Sequence, residues 1–450
     1  MLKVSRETLR SHDANGLTGE VAEEHARGRS RANLSVIAGA VGTTIEYYDF
    51  SIYVFLATVL ARGFFPSQNA TVGLLSVFAV FAIAFVVRPL GGVWLGHLGD
   101  RHGRRLVLLV SVSLMAVATT LIGLLPTFAS VGVVAPLLLV ALRCIQGASA
   151  GGEVGSAATY IAEIAPTHKR GFLTSTTQVG TLLGTMLGSL VVAVVSATLT
   201  PEQMAEWGWR IPFLLSFPLG ILALAVRRRL EESKQFERVE TAGGIAKVPF
   251  FSAVATYPIV ITKVICLSLV SFASYYLVFT YLPTYFQRQN IMSPTWASWS
   301  ATISILVGCI SIPLWGALSD RIGRKPVLIG VCLGNVVLAY PAFLAMSWSP
   351  IAAGAAQMIL GQLEAAYLAV ILTAYCEMFP VKVRLSGVTL GHNVSALIAG
   401  GTAPYLATWL IAATGQSVAP AWILVGTGAI SLAVAVALKE TAGQPLPMFE

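Results

Sequence analysis

The sequence predicts an all-α integral membrane protein of twelve transmembrane helices in two pseudo-symmetric six-helix bundles, and three observations predict it. Of 450 residues, 56% are hydrophobic and 11% charged, against about 25% charged in soluble domains, and the mean hydropathy is +0.76. Twelve apolar runs fall near 33–62, 71–97, 106–125, 131–162, 171–198, 208–226, 256–287, 295–319, 326–347, 350–378, 385–413 and 418–438. Such runs span the roughly 30 Å of hydrocarbon that takes about 20 helical residues to cross. Finally, the loop Gly96-His-Leu-Gly-Asp100-Arg101-His-Gly103-Arg104-Arg105 recurs as Gly316-Ala-Leu-Ser-Asp320-Arg321-Ile-Gly323-Arg324-Lys325 between equivalent runs, so two similar halves stand in tandem.

In chain order, residues 1–32 are a polar tail without an apolar core, so no cleavable signal peptide is expected. The first bundle occupies 33–226. A linker at 227–254, the longest polar interior stretch, separates it from the second bundle at 255–438, and a short tail at 439–450 follows. Basic residues alternate by loop. They crowd the N-terminal tail and the connections holding Arg101/Arg104/Arg105, His168/Lys169/Arg170, Arg227–Arg229, Arg321/Arg324/Lys325 and Lys382/Arg384, while the intervening loops hold almost none. The positive-inside rule then places both termini and the basic loops in the cytoplasm, with the chain in the plasma (cytoplasmic) membrane. That distribution, rather than a basic face, carries the net charge of +8 and argues against a nucleic-acid partner.

All five cysteines lie inside apolar runs with no Cys-x-x-Cys pair, which suggests neither a disulfide framework nor a metal site. No Walker loop or Gly-x-Ser-x-Gly elbow is present, so an enzyme is not expected and no cofactor is required. Energy is expected from an ion gradient, with the proton as coupling ion; each charge moved gains about 2.3 kcal/mol per 100 mV. Trp207 and Trp209 before helix 6, and Trp296 and Trp299 at the start of helix 8, are expected to anchor at the lipid interface.

A second echo pairs Glu163-Ile-Ala-Pro166-Thr-His-Lys-Arg170 with Glu377-Met-Phe-Pro380-Val-Lys-Val-Arg384. Proline ends each helix and an arginine follows in the next connection. Carboxylates at helix ends facing guanidinium groups of neighbouring helices form charge networks that latch one side of a bundle and must break when it opens. The expected cytoplasmic gate is therefore Asp100, Arg101, Arg104, Glu163 and Arg170 with Asp320, Arg321, Arg324, Glu377 and Arg384.

The duplicated Gly-x-x-x-Asp-Arg-x-Gly-Arg-Arg/Lys loop resembles the signature of the major facilitator superfamily. Within it, four stretches resemble the metabolite:proton symporter family of proline/glycine-betaine, shikimate, 2-oxoglutarate and citrate carriers. They are Glu46-Tyr-Tyr-Asp49-Phe, Arg88-Pro-Leu-Gly-Gly, Arg143-Cys-Ile-Gln146-Gly147 with Gly151-Gly152-Glu153, and Trp207-Gly-Trp209-Arg210-Ile-Pro212-Phe. The resemblance implies a proton-coupled symporter that imports a small charged or zwitterionic organic solute by alternating access. A non-cycling solute receptor and a proton-driven efflux carrier are the rival readings.

The residues themselves agree with proton coupling. A charge near the bilayer centre costs about 2.5–3.5 kcal/mol on insertion scales, so intramembrane ionisable groups are functional candidates. Glu46 and Asp49 are three apart, on one helical face, and are the expected proton carriers. Arg143, near the middle of helix 4, needs an anion, which Glu46, Asp49, Glu153 or a substrate carboxylate can supply. Arg88 supports the first-half polar network. The glycines after Arg143 are expected to pack closely on a neighbouring helix. In the second half Glu364, His392 and Asn393 are the conspicuous polar groups, and Tyr275 and Tyr276 in helix 7 offer aromatic faces for a quaternary ammonium.

For the solute, helix 7, the helix 11 stretch from Asn393 to Pro404 and the Lys439-Glu440-Thr-Ala tail resemble the proline/betaine osmolyte carriers, while helix 5 with Gln178 resembles the shikimate carriers. Both substrate classes stay open. Activation by osmotic stress is not expected, since no long coiled coil follows helix 12 in this sequence. Partners are then the solute, protons and the lipid bilayer, and a monomer is expected.

Overall fold

A computed structural model describes residues 40–102, 104–151, 158–159, 161–163, 165–228 and 256–447. The expected tail at 1–32, most of the linker and Glu153 lie outside the described residues. So do the side chains of Asp100, Arg101 and Arg104, although the helices bearing them are defined. Among the described residues twelve helices follow one another: α1 (40–64), α2 (Ala70–His102), α3 (Arg104–Leu124), α4 (Val134–Ser149, with helix again at 158–159 and 161–163), α5 (Arg170–Thr198), α6 (Pro201–Arg228), α7 (Pro258–Arg288), α8 (Pro294–Ile322), α9 (Arg324–Met346), α10 (Pro350–Met378), α11 (Val383–Thr414) and α12 (Ala421–Ala437). Nine of them are long and apolar enough to cross a membrane.

Local chemistry sets several boundaries. Ser293 and Ser349 open α8 and α10 by accepting hydrogen bonds from the backbone N–H of Trp296 and Ala352, with proline in the first turn of each helix. Gly323, at φ +104°, closes α8 in a conformation that L side chains rarely adopt. Tyr275–Tyr281 in α7 and Ala396–Gly400 in α11 are wound more widely, with π-type turns. Such turns re-aim side chains and recur at functional sites.

The halves meet most extensively where α5 runs along α8, with α2 against α11 on the other side of the interface. The α5–α8 approach depends on two glycines: a Cβ on Gly171 would lie 2.8 Å from the Gly316 carbonyl, and one on Gly316 would lie 2.6 Å from Ser175 Oγ. The glycines expected to smooth helix 4 do so against α2. A Cβ on Gly147 would sit 2.1 Å from the Ala84 carbonyl oxygen, and one on Gly151 would sit 2.4 Å from the Gly92 nitrogen.

One expected interfacial anchor is misplaced by the sequence. Trp296 and Trp207 are exposed, but Trp209 is buried edge-on against Phe64 and Phe213, with Arg210 over its ring at 4.4 Å. A Trp belt and a Trp core both place an indole near a helix start; only packing separates them.

Call the end carrying the 163–170, 322–324 and 378–383 connections the basic end. Contacts join the halves at both ends. At the opposite end Arg288 donates to Thr71 (2.9 Å), Thr284 to the Val54 carbonyl (3.3 Å) and Thr295 to the Ser196 carbonyl (3.1 Å), and Phe78 meets Tyr281 edge to face.

Candidate functional site

Midway along the first half, four ionisable residues lie out of contact with solvent: Glu46 and Asp49 on α1, Arg88 on α2 and Arg143 on α4. Burial of a charge is tolerated only when it is paired or hydrogen-bonded. Glu46 obeys through Arg88 Nη2 at 2.5 Å, while Arg88 Nε donates to the Ala150 carbonyl. Asp49 sits three residues on but turns to other partners, accepting from Ser216 Oγ on α6 (2.5 Å) and Thr119 Oγ1 on α3 (2.8 Å). The shared helical face thus splits into a salt-bridged carboxylate and a hydroxyl-ligated one.

Arg143 is the exception to the pairing rule. Among the described residues no carboxylate meets it: Nη1 donates to Gln146 (2.9 Å), and Nε and Nη2 have no partner. Instead its guanidinium lies 4.0 Å over the Tyr53 ring, with Phe81 at 5.2 Å and Phe50 at 5.3 Å. Aromatic faces offset part of the cost of a desolvated cation but leave its N–H groups unfilled.

Rings from the second half complete an aromatic cluster across the interface. Tyr276 meets Phe81 and Phe85 at 5.6 and 5.4 Å, and Tyr275 meets Tyr47 at 5.6 Å and hydrogen-bonds Thr185 of α5. Both tyrosines lie in the π-wound turn of α7, which brings successive rings toward the first half. Glu364 on α10 is buried and accepts from Ser271 (2.8 Å). His392 lies half-buried on Phe272 (4.6 Å) with Nδ1 unpartnered, and Asn393 crosses to the Gly151 carbonyl (3.2 Å). Gln178 is buried and accepts from Thr181 on its own helix (3.4 Å).

The echoed carboxylates do meet arginines across the interface at the basic end. Glu377 of the second half pairs with Arg170 of the first (3.1 Å) and with Arg324 (3.4 Å), and Glu163 of the first pairs with Arg384 of the second (2.7 Å). Asp320 reaches Arg324 (2.8 Å) and also accepts from the backbone N–H groups of Gly171 and Phe172 (2.8 and 2.9 Å), so it satisfies the first turn of α5 from the other half. Arg321, one residue past Asp320 on α8, is exposed and among the described residues makes no ion pair with this cluster.

The segment after α12 lies over this cluster. Thr441 donates to Glu377, the Gln444 carbonyl accepts from Arg170, and the Pro447 carbonyl accepts from Arg384. Burial alone would raise the Glu440 pKa, but the backbone N–H groups of Ala442, Arg324, Lys325 and Thr441 outweigh it and hold the carboxylate below the usual glutamate range. Sequence reasoning quoted Glu440 only for its resemblance and missed Thr119, Ser216, Tyr53 and Phe81, whose roles depend on contacts between distant helices. Tyr53 alone left a trace, lying one helical turn beyond Asp49.

Comparison with known proteins places these residues among carriers. The profile described as "Sugar (and other) transporter" matches residues 35–246, and that of the Major Facilitator Superfamily matches 286–446. The chain is 34% identical to the proline/betaine transporter of Salmonella typhimurium, over 92% of this chain and 84% of that one. It is 38% identical to a putative proline/betaine transporter of Staphylococcus aureus, over 92% and 90%. The proton:xylose symporter XylE bound to 6-bromo-6-deoxy-D-glucose superposes with a TM-score of 0.74 at 20% identity, covering 93% of this chain and 98% of that one, which shows a shared fold.

Proposed function

Because this chain belongs to the major facilitator superfamily, in its metabolite:proton symporter family, we propose that it imports a proline- or betaine-type zwitterion together with a proton by alternating access. The observation that carries this reading is Arg143: a buried cation with two unfilled N–H-bearing nitrogens, ringed by Tyr53, Phe81 and Phe50. A solute carboxylate fills those donors bidentately. A quaternary or secondary ammonium on the same solute suits the rings of Tyr275, Tyr276 and Phe85. Proline/betaine relatives at 33 to 38% identity support the same solute class.

Asp49 carries the proton. Its two hydroxyl partners stabilise the carboxylate without neutralising it, so the charge resists the bundle swing until a proton cancels it. Glu46, already neutralised by Arg88, holds α1 to α2 and is the secondary candidate. Glu364 supplies negative potential on the cargo's cationic side. The basic end faces the cytoplasm with both termini, by the loop charge bias, and its ion pairs hold that side shut until cargo and proton are aboard. The carrier acts as a monomer in the bilayer, with no cofactor or metal.

Proteoliposomes with an inward proton gradient test this directly. Uphill uptake of glycine betaine and proline that vanishes with uncoupler is expected. Binding without accumulation would indicate a receptor, expulsion would indicate efflux, and uphill uptake of shikimate or 2-oxoglutarate in place of betaine would overturn the solute class.

A further inference from the structure

The cation for cargo and the carboxylate for the proton are joined by an unbroken line of buried hydrogen bonds through Gln146 and Thr119. Arg143 Nη1 donates to Gln146 Oε1 (2.9 Å), Gln146 Nε2 donates to Thr119 Oγ1 (2.6 Å), and Thr119 Oγ1 reaches Asp49 Oδ2 (2.8 Å). All four side chains are at most 1% exposed, and three helices contribute. We propose that Gln146 and Thr119 are the positioning residues that couple proton loading to cargo binding: the charge on Asp49 sets how firmly Gln146 holds the Arg143 guanidinium. The proposal rests on the reading of Asp49 and Arg143 given above.

Proton counting on Thr119 gives the mechanism. Its hydroxyl has one hydrogen and two acceptors in reach, Asp49 Oδ2 at 2.8 Å and the Met115 carbonyl at 2.9 Å. With Asp49 ionised, the hydrogen goes to the carboxylate. Donating to an anion makes Thr119 Oγ a better acceptor for Gln146, and the polarised amide in turn accepts more strongly from Arg143. With Asp49 protonated, the new O–H donates to Thr119, whose own hydrogen swings to the Met115 carbonyl. The line then ends on a neutral group, its polarisation falls, and Arg143 is released toward a cargo carboxylate. By linkage, cargo must take up a proton as it binds.

Other charges near Asp49 do not offer this route. Glu46 and Tyr48 face it from α1 and Arg143 from α4. Glu46 is committed to Arg88, the Tyr48 hydroxyl donates to the Pro212 carbonyl, and the Arg227 charge on α6 acts on Glu46. Among the described residues only Thr119 and Gln146 bridge the two sites.

The test compares glycine betaine affinity of purified full-length protein at about pH 6 and about pH 8, where allosteric coupling typically amounts to about 5- to 150-fold. The native protein and Thr119→Ser, which keeps the hydroxyl, should bind more tightly at the lower pH and take up protons on binding. Thr119→Val and Gln146→Leu each cut the line at a different point, so a folding failure of one leaves the other to decide. Either should bind with nearly the same affinity at both pH values, without proton uptake. A full pH ratio in a folded Thr119→Val or Gln146→Leu protein overturns the relay. Failure of the underlying reading looks different: the native protein itself shows no pH ratio, or Asp49→Asn still accumulates betaine uphill.

Discussion

The two halves repeat one layout and diverge where the chemistry lies. At the basic end the echo is reciprocal: each half's glutamate takes an arginine of the other. At the centre the halves part. The first holds Glu46, Asp49, Arg88 and Arg143 in one buried cluster, whereas the second holds Glu364 and His392 apart and presents tyrosines from a π-wound turn. Duplication thus fixes the ion pairing that both halves share at the basic end, and leaves the centre free to differ.

The sharpest way to break this comparison is to exchange the roles of its carboxylates. Asp49→Asn should abolish gradient-driven accumulation while sparing exchange, since a permanently neutral side chain lets the carrier reorient without a proton. Glu364→Gln should leave coupling intact and weaken cargo affinity. Uptake and counterflow in proteoliposomes separate the two, and coupling that survives Asp49→Asn but fails in Glu364→Gln would put the proton in the second half.

Next in size is Glu377→Gln. Glu377 is the carboxylate paired with Arg170 and shares Arg324 with Asp320, and the side chains of Glu377, Arg170 and Arg324 are at most 3% exposed. Removing one partner of a buried ion pair typically costs about 3–5 kcal/mol because a charge is left uncompensated. The cost falls on the state with the basic end closed, so the variant should populate an arrangement open at the basic end. Labelling of single cysteines placed in α5 and α8 should rise at the basic end and stay unchanged at the opposite one, where among the described residues hydrogen bonds rather than ion pairs do the joining.

How much of this was legible beforehand follows the same division. Loop echoes, the twelve apolar runs and the alternating basic loops are local sequence facts, so the helices, their order and the charged residues gathered at the basic end could be read directly. Asp49 and Arg143 were visible because charge in an apolar run is conspicuous. Their partners were not: Thr119 and Ser216 are unremarkable hydroxyls until α3 and α6 pack beside α1, and Phe81 is one apolar residue among many in α2. Arg321 and Trp209 misled for the converse reason, since a motif names positions but not the direction in which each side chain leaves its helix.

Tyr276 tests cargo recognition in the second half. Tyr276→Leu should weaken glycine betaine binding by about 0.5–2 kcal/mol, the range of cation–π attraction, while Tyr276→Phe should retain most of it. Equal losses in both variants would show that the hydroxyl, not the ring face, makes the contact.

The smallest effect is expected where the echo is closest in sequence but not in environment. Glu163 occupies in the first half the place of Glu377 in the second, yet its side chain is 35% exposed and it meets one arginine, not two. Water already solvates its charge, and exposed pairs contribute about 0–1 kcal/mol. Arg384 is also less dependent on its carboxylate than Arg170, whose Nε has no partner, because its own Nε donates to the Cys376 carbonyl (2.9 Å) and its Nη2 to the Pro447 carbonyl (3.1 Å). Glu163→Gln should therefore shift basic-end cysteine labelling far less than Glu377→Gln and lose its effect in high salt, where an exposed pair is screened. Equal shifts in the two variants would mean that the halves share the latch evenly, and that the burial difference between the echoed glutamates carries no energy.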